Sequence, residues 1–64
     1  MRKKGKYEGQ FNDKNQRHGW GRLATKAVIY EGAWENGEKD GWGRMIQANG
    51  TYYEGYFKDD MFDG

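Results

Sequence analysis

Two pairs of tryptophan and arginine are the residues whose type and spacing most strongly suggest chemistry. Trp20 and Arg22 stand in the sequence Gly-Trp-Gly-Arg, and Trp42 and Arg44 stand in the same sequence 22 residues later. These two residue types are strongly enriched at binding hot spots, and an exposed apolar patch on a small domain commonly marks a binding surface. The pattern therefore favours a contact surface for another protein, with Tyr56 as a further contributor.

The residue inventory disfavours catalysis. The chain has no serine, no cysteine and one histidine, His18, which falls in a predicted turn. It therefore offers no pair of nucleophile and base. Asp59, Asp60 and Asp63 are too few and too closely spaced for a calcium loop, and they predict a solvated turn. We expect no enzyme activity, no metal and no cofactor.

The charge distribution separates two kinds of partner. Arg2, Lys3, Lys4 and Lys6 stand among the first six residues, whereas the remainder has 7 basic and 10 acidic residues. A net acidic body lacks the electrostatic attraction that dominates nucleic-acid binding, so we expect no nucleic-acid partner.

The basic segment, residues 1–6, supports an alternative function. Its four charges could tether the chain to anionic phospholipids, with Trp20 or Trp42 inserted at the interface. A solvated lead-in that protects the first strand is the simpler interpretation. The sequence shows no signal peptide or membrane span, and the lack of cysteine fits a reducing compartment. We expect an intracellular location, in the cytoplasm or associated with cytoskeleton or membrane.

A repeat of 23 residues organises the chain. Tyr-Glu-Gly begins at Tyr7, Tyr30 and Tyr53, and an aromatic residue follows two positions after each glycine. Such self-similarity is the signature of a repeat protein. The units are residues 7–29 and 30–52 and an incomplete third unit, residues 53–64.

Each unit alternates between two residue classes with a period of two, which predicts β-strands. Asn36-Gly37 and Asn49-Gly50 predict hairpin turns between them. We expect an all-β, single-layer antiparallel meander of about five strands. The third unit has no returning strand in this interpretation, so residues 53–57 should form an unpaired edge.

The alternation assigns side chains to two faces. One face should carry rings over a floor of glycines: Tyr7, Phe11, Leu23, Tyr30, Trp34, Met45, Tyr53 and Phe57. The other should carry Glu8, Trp20, Arg22, Glu31, Trp42, Arg44, Ile46, Tyr52, Glu54 and Tyr56. A purely structural alternative for the second face is that each arginine pairs with a glutamate across the sheet and covers a tryptophan.

The motif Tyr-Glu-Gly-x-aromatic, a polar turn, Gly-x-Gly and an Asn-Gly turn resembles the membrane occupation and recognition nexus (MORN) repeat. The resemblance covers residues 7–64. It implies an elongated sheet of successive hairpins that acts as a non-catalytic scaffold or interaction module, as a part or subunit of a larger assembly. Trp20 and Trp42 depart from the family pattern, which commonly has a polar residue between the paired glycines.

Overall fold

The computed structural model describes residues 5–64, and they form one open antiparallel sheet of six strands in sequence order. The strands are β1 (Lys6–Phe11), β2 (Arg17–Ala24), β3 (Val28–Glu35), β4 (Glu38–Gln47), β5 (Tyr52–Lys58) and β6 (Met61–Phe62). No helix occurs among the described residues, and the sheet measures 34 × 34 × 15 Å. The predicted all-β single-layer meander is confirmed, with one short strand more than expected.

Asparagine and glycine set the turns that sequence analysis located. Asn36 and Gly37 have φ values of 49° and 90°, and they form the two-residue connection between β3 and β4. Gly50 has a φ of 95°, and its N–H donates to the carbonyl of Gln47 at 2.8 Å. Positive φ carries little steric cost for glycine and is tolerated by asparagine, so the Asn-Gly pairs fix both hairpins.

The turns of the first unit lack an Asn-Gly pair, and other residues stabilise them. Asn15, with a φ of 65°, replaces the glycine, and its N–H donates to the carbonyl of Asn12 at 3.0 Å. Between β2 and β3, the Thr25 hydroxyl accepts from the backbone N–H groups of Ala27 and Val28 at 3.1 and 3.0 Å. A threonine side chain thus stabilises a turn that lacks glycine.

The two glycines of Gly-x-Gly have different roles. The first, Gly19 or Gly41, has a φ of 80° or 109° and lies where the register with the preceding strand shifts. The second, Gly21 or Gly43, lies beneath a tyrosine ring of that preceding strand, and a Cβ there would overlap the ring. The predicted floor of glycines therefore includes the second glycine of Gly-x-Gly, which has the closest contact with the tyrosine ring.

The core lies on the predicted aromatic face. Tyr30, Trp34 and Phe57 are 0%, 3% and 2% exposed. Tyr30 packs edge-on against Trp34 at 5.2 Å and against Phe57 at 4.9 Å between ring centroids, and Tyr7 contacts Trp34 at 5.5 Å. Tyr7 and Tyr30 therefore each contact a ring of the following unit. Phe11 lies on this face but is half-exposed, because it belongs to edge strand β1.

The prediction of an unpaired edge at residues 53–57 is wrong for the end of that segment. Asp59 and Asp60 adopt φ values of 51° and 69° and turn the chain into β6, which pairs with Phe57 and the residue after it. The backbone N–H of Asp63 also donates to the carbonyl of Tyr56 at 2.7 Å. The Phe62 ring then packs against Phe57 at 5.2 Å and covers one side of it.

Candidate protein-interaction face

The second face of the sheet, here called the open face, carries three rows of side chains that run across the strands. The residues of each row are aligned by the strand register and the pleat alternation. The aromatic row is Trp20, Ala33, Trp42 and Tyr56. The charged row is Glu8, Arg22, Glu31, Arg44 and Glu54. The apolar row is Lys6, Ala24, Ile29, Ile46 and Tyr52.

The aromatic row is exposed, as the sequence predicts. Trp20, Trp42 and Tyr56 are 52%, 47% and 57% exposed, although they are among the largest apolar side chains of the chain. Trp42 and Tyr56 are cross-strand neighbours, and their rings meet edge-on at 5.5 Å. The contact restricts the Trp42 and Tyr56 rings, which lowers the entropy cost of burying them further.

The charged row alternates in sign from strand to strand. Arg44 donates to Glu31 at 3.2 Å, and both side chains are about half-exposed, so the pair adds little stability and stays within reach of a partner. Within residues 5–64, Arg22 forms no ion pair although Glu8 and Glu31 flank it. The expected glutamate pairing therefore holds for Arg44 alone.

Cations do cover aromatic rings, but on the opposite face and from other residues. The Arg17 guanidinium lies 5.3 Å from the Trp34 ring, and the Lys39 ammonium lies 5.5 Å from the same ring. No arginine covers Trp20 or Trp42 among the cation and ring contacts of the described chain. The structural alternative for the two tryptophans is therefore wrong in this respect.

Sequence reasoning missed the two cations over Trp34, although a signal was present. Arg17 and Lys39 each stand two residues before the first glycine of Gly-Trp-Gly, so they occupy the same position in their repeats. Lys39 is also held by Asp60, whose carboxylate lies 3.6 Å from the ammonium and accepts the Lys39 backbone N–H at 2.9 Å. These contacts stabilise the sheet and leave the open face unobstructed.

The apolar row borders a shallow depression of about 220 Å³, lined in part by Ile29, Ile46 and Tyr52. This volume is below the roughly 300–1,000 Å³ of ordinary small-molecule sites, and the depression is open to solvent. The Tyr52 hydroxyl donates to Glu54 at 3.0 Å, and desolvation together with this hydrogen bond raises the pKa of Tyr52. The depression is therefore too small and too open to enclose an ordinary small ligand.

The buried tyrosine hydroxyls belong to the other face. Burial, reinforced by the negative charge of Asp40, raises the pKa of Tyr30 to about 12. The hydroxyl donates to the carbonyl of Ala33 at 2.9 Å. Burial also raises the pKa of Tyr7. Both phenols are therefore neutral hydrogen-bond donors at physiological pH.

The remaining candidate residues do not form a second site. His18 lies in β2 rather than in a turn, and its Nδ1 accepts the backbone N–H of Asn36 at 3.3 Å. No group of three or more potential metal ligands occurs among residues 5–64, and Asp60 contacts Lys39 instead. That part of the chain also contains no helix long and apolar enough to cross a membrane.

The lipid-binding alternative rests largely on residues outside the described range. Arg2, Lys3 and Lys4 lie there, and only Lys6 is described. Lys6 begins β1 instead of belonging to a separate tail, and its ammonium lies 3.6 Å from the Glu8 carboxylate. Lys6, one of the four residues proposed to contact anionic lipid, is therefore part of the sheet.

The fold and its two faces define a class of protein: a repeat-built, single-layer β-meander with one packed aromatic face and one open face. No protein-family model and no curated protein matches the chain.

Proposed function

We propose that the chain is a non-catalytic protein-interaction module of the MORN type, which binds another protein through its open face. The observation that carries the proposal is the exposure of Trp20, Trp42 and Tyr56 on a face that no second layer of residues 5–64 covers. Exposed aromatic groups of this size are costly in water unless a partner buries them, at about 25 cal/mol per Å².

The arginines of the charged row add specificity to this contact. Arg22 and Arg44 lie directly beside the aromatic row, two residues along β2 and β4 from Trp20 and Trp42. Arg22 has no ion pair within the described chain, so its guanidinium retains all its donors for a partner carboxylate. An aromatic anchor beside a free arginine is the common composition of a binding hot spot.

The family resemblance supports the same function by a separate route. Two and a half copies of the MORN-like motif build a hairpin sheet, and such repeats commonly serve as scaffolds within larger intracellular assemblies. We therefore propose that the natural partner is another protein of an intracellular complex in the cytoplasm or on the cytoskeleton or membrane.

The test compares the wild-type chain with a double variant, Trp20→Ala with Trp42→Ala. Immobilised chains of both types would be exposed to cell extract, and bound proteins would be quantified by mass spectrometry. The proposal expects a reproducible partner that the double variant loses while its far-UV circular dichroism stays unchanged. Equal capture by both chains contradicts a role of the open face. Ile46→Ala, which shortens one smaller exposed side chain of the same face, should reduce capture less than the double variant.

The phospholipid tether remains a separate proposal with its own experiment, co-sedimentation with acidic vesicles. Binding that disappears in high salt and on neutralising Arg2, Lys3 and Lys4 would support it. No sedimentation with vesicles rich in anionic lipid would exclude it.

A further inference from the structure

The charged row of the open face is complementary to itself. Its signs run negative, positive, negative, positive, negative from β1 to β5. Two copies can stack with their open faces together about a two-fold axis that runs parallel to the strands, midway between β3 and β4. This axis places β3 of one copy opposite β4 of the second copy, and β2 opposite β5. Glu31 then faces Arg44 of the second copy, and Arg22 faces Glu54 of the second copy. Each contact occurs twice, because a two-fold interface is symmetric.

Arg22 and Glu54 form the outer charge pair of this arrangement, and neither has an ion-pair partner within its own described chain. Arg22 has no ion pair within residues 5–64, and Glu54 accepts a hydrogen bond from Tyr52 but has no cation within ion-pair distance there. Both side chains are exposed. The axis therefore pairs Arg22 of one copy with Glu54 of the second copy, and these are the two charges of β2 and β5 that have no ion-pair partner within one described chain.

The neighbouring rows bring apolar side chains together under the same axis. In the aromatic row, Trp42 faces Ala33 of the second copy, whereas Trp20 and Tyr56 face each other ring against ring. In the apolar row, Tyr52 faces Ala24, whereas Ile29 faces Ile46. Large side chains opposite small ones interdigitate at two of these four contacts, and the other two join side chains of similar size at the roughly 10 Å separation of packed sheets.

Other axes fit less well. An axis through β3 places Glu31 against itself and Arg22 against Arg44, so like charges meet. An axis between β2 and β3 restores opposite charges but leaves Tyr52 and Tyr56 of β5 uncovered. Of these three axes, the one between β3 and β4 alone combines charge complementarity with cover for β2 to β5, which carry the exposed rings and isoleucines of the open face.

We propose that the open face binds a second copy of this chain face to face, about the axis between β3 and β4. This inference rests on the proposed function and names its partner. Four strands spaced by about 4.8 Å, with three rows spaced by about 7 Å, give a footprint of roughly 400 Å² per copy. Since stable interfaces bury about 800 Å² per partner, we expect the dimer to be weak and its population to rise with protein concentration.

The test uses the outer charge pair, because its substitution leaves the Glu31 and Arg44 pair intact. Sedimentation equilibrium would be measured for wild type, for Arg22→Glu and for Glu54→Arg, each checked by far-UV circular dichroism. Each variant alone brings like charges together twice and should associate at least about tenfold more weakly than wild type. An equimolar mixture restores both pairs and should dimerise again. Lys14→Glu, in an exposed turn, carries the same charge change as Arg22→Glu and should leave dimerisation unchanged.

A second variant tests the end of the interface. The axis places Glu35 opposite Glu38 of the second copy, beside the Asn36–Gly37 turn. Glu38→Lys replaces this repulsion by attraction and should strengthen dimerisation severalfold, whereas a weaker or unchanged dimer contradicts the axis.

The outcomes also separate this inference from the proposed function. A wild-type chain that is monomeric at all concentrations, or a mixture of Arg22→Glu and Glu54→Arg that fails to dimerise while both are folded, overturns self-association. If the same monomeric chain captures another protein that Trp20→Ala with Trp42→Ala loses, the proposed function stands without it. Dimerisation that the two tryptophan substitutions leave unchanged would place the interface elsewhere and overturn the inference.

Discussion

The indole N–H of Trp34 in β3 donates a buried hydrogen bond to the carbonyl oxygen of Gly21 in β2, at 3.1 Å. The ring of Trp34 also contacts Tyr7 of the first unit and Tyr30 of its own unit. One side chain therefore joins two repeats by a hydrogen bond and by ring packing. Burial of this indole therefore links the first and second units on the aromatic face.

Trp34→Ala should unfold the chain or come close to it. Loss of a buried tryptophan costs about 3–5 kcal/mol, which is much of the stability of a domain this small. Trp20→Ala and Trp42→Ala should each change the free energy of unfolding by less than about 1 kcal/mol, since both rings are half-exposed. Urea denaturation followed by far-UV circular dichroism checks this, and equal losses for all three would show that the face assignment is wrong.

Gly21→Ala should destabilise the sheet by about 1–3 kcal/mol, because the new methyl group overlaps the Tyr7 ring. The same substitution in a Tyr7→Ala background should cost clearly less, since the three nearest atoms to the added Cβ all belong to Tyr7. A double-mutant cycle by urea denaturation measures this coupling. Additive effects would mean that the ring does not require the glycine.

Alkaline pH should destabilise the wild-type chain through Tyr30. Its folded-state pKa of about 12 exceeds the unfolded value of 10, so the folded protein retains a proton that the unfolded chain loses. The retained proton makes its full contribution to the free energy of unfolding below pH 10. This contribution is lost as pH rises toward 12, which lowers the free energy of unfolding by up to roughly 2–3 kcal/mol.

Tyr30→Phe is the matched control for this pH effect. The variant loses the hydrogen bond to Ala33, so it is less stable at neutral pH by about 1 kcal/mol. Its free energy of unfolding should then decline less steeply between pH 10 and pH 12 than that of wild type. Identical slopes, measured by denaturation at several pH values, would contradict the assignment to Tyr30.

Phe62→Ala should cost about 1–2 kcal/mol, because the ring packs against Phe57 and Tyr53 although it stays 39% exposed near the sheet edge. Met61→Ala, at the adjacent and more exposed position, should change stability by less than about 0.5 kcal/mol. Thermal unfolding of both variants distinguishes them. A neutral Phe62→Ala would mean that β6 adds no packing.

The strands and faces were predictable because two simple signals agree. Alternation places Tyr30 and Trp34 on one face and Glu31 on the other, and the Asn36–Gly37 turn fixes the register between β3 and β4. A one-residue slip would move every ring to the wrong face, so the register is strongly specified. Exposure of Trp20 follows from the same alternation.

Two features escaped sequence analysis for physical reasons. The β6 strand has only two residues, and its turn is formed by Asp59 and Asp60, which reach positive φ without the glycine that signals such a turn. The ring contacts of Arg17 and Lys39 depend on long flexible side chains and on the register shifts at the Gly-x-Gly motifs. The repeat places Arg17 and Lys39 at equivalent positions, but periodicity alone does not show which ring each cation contacts.

The strand order has a mechanical consequence. Because β1 and β6 are the opposite edges of a sheet in sequence order, tension between the two ends of the described chain loads the outermost hairpin first. The ladder hydrogen bonds then open one after another, as in a zipper, instead of resisting together in shear. Such a sheet yields at low force and lengthens strand by strand, so within an assembly it would act as an extensible link and not as a rigid strut.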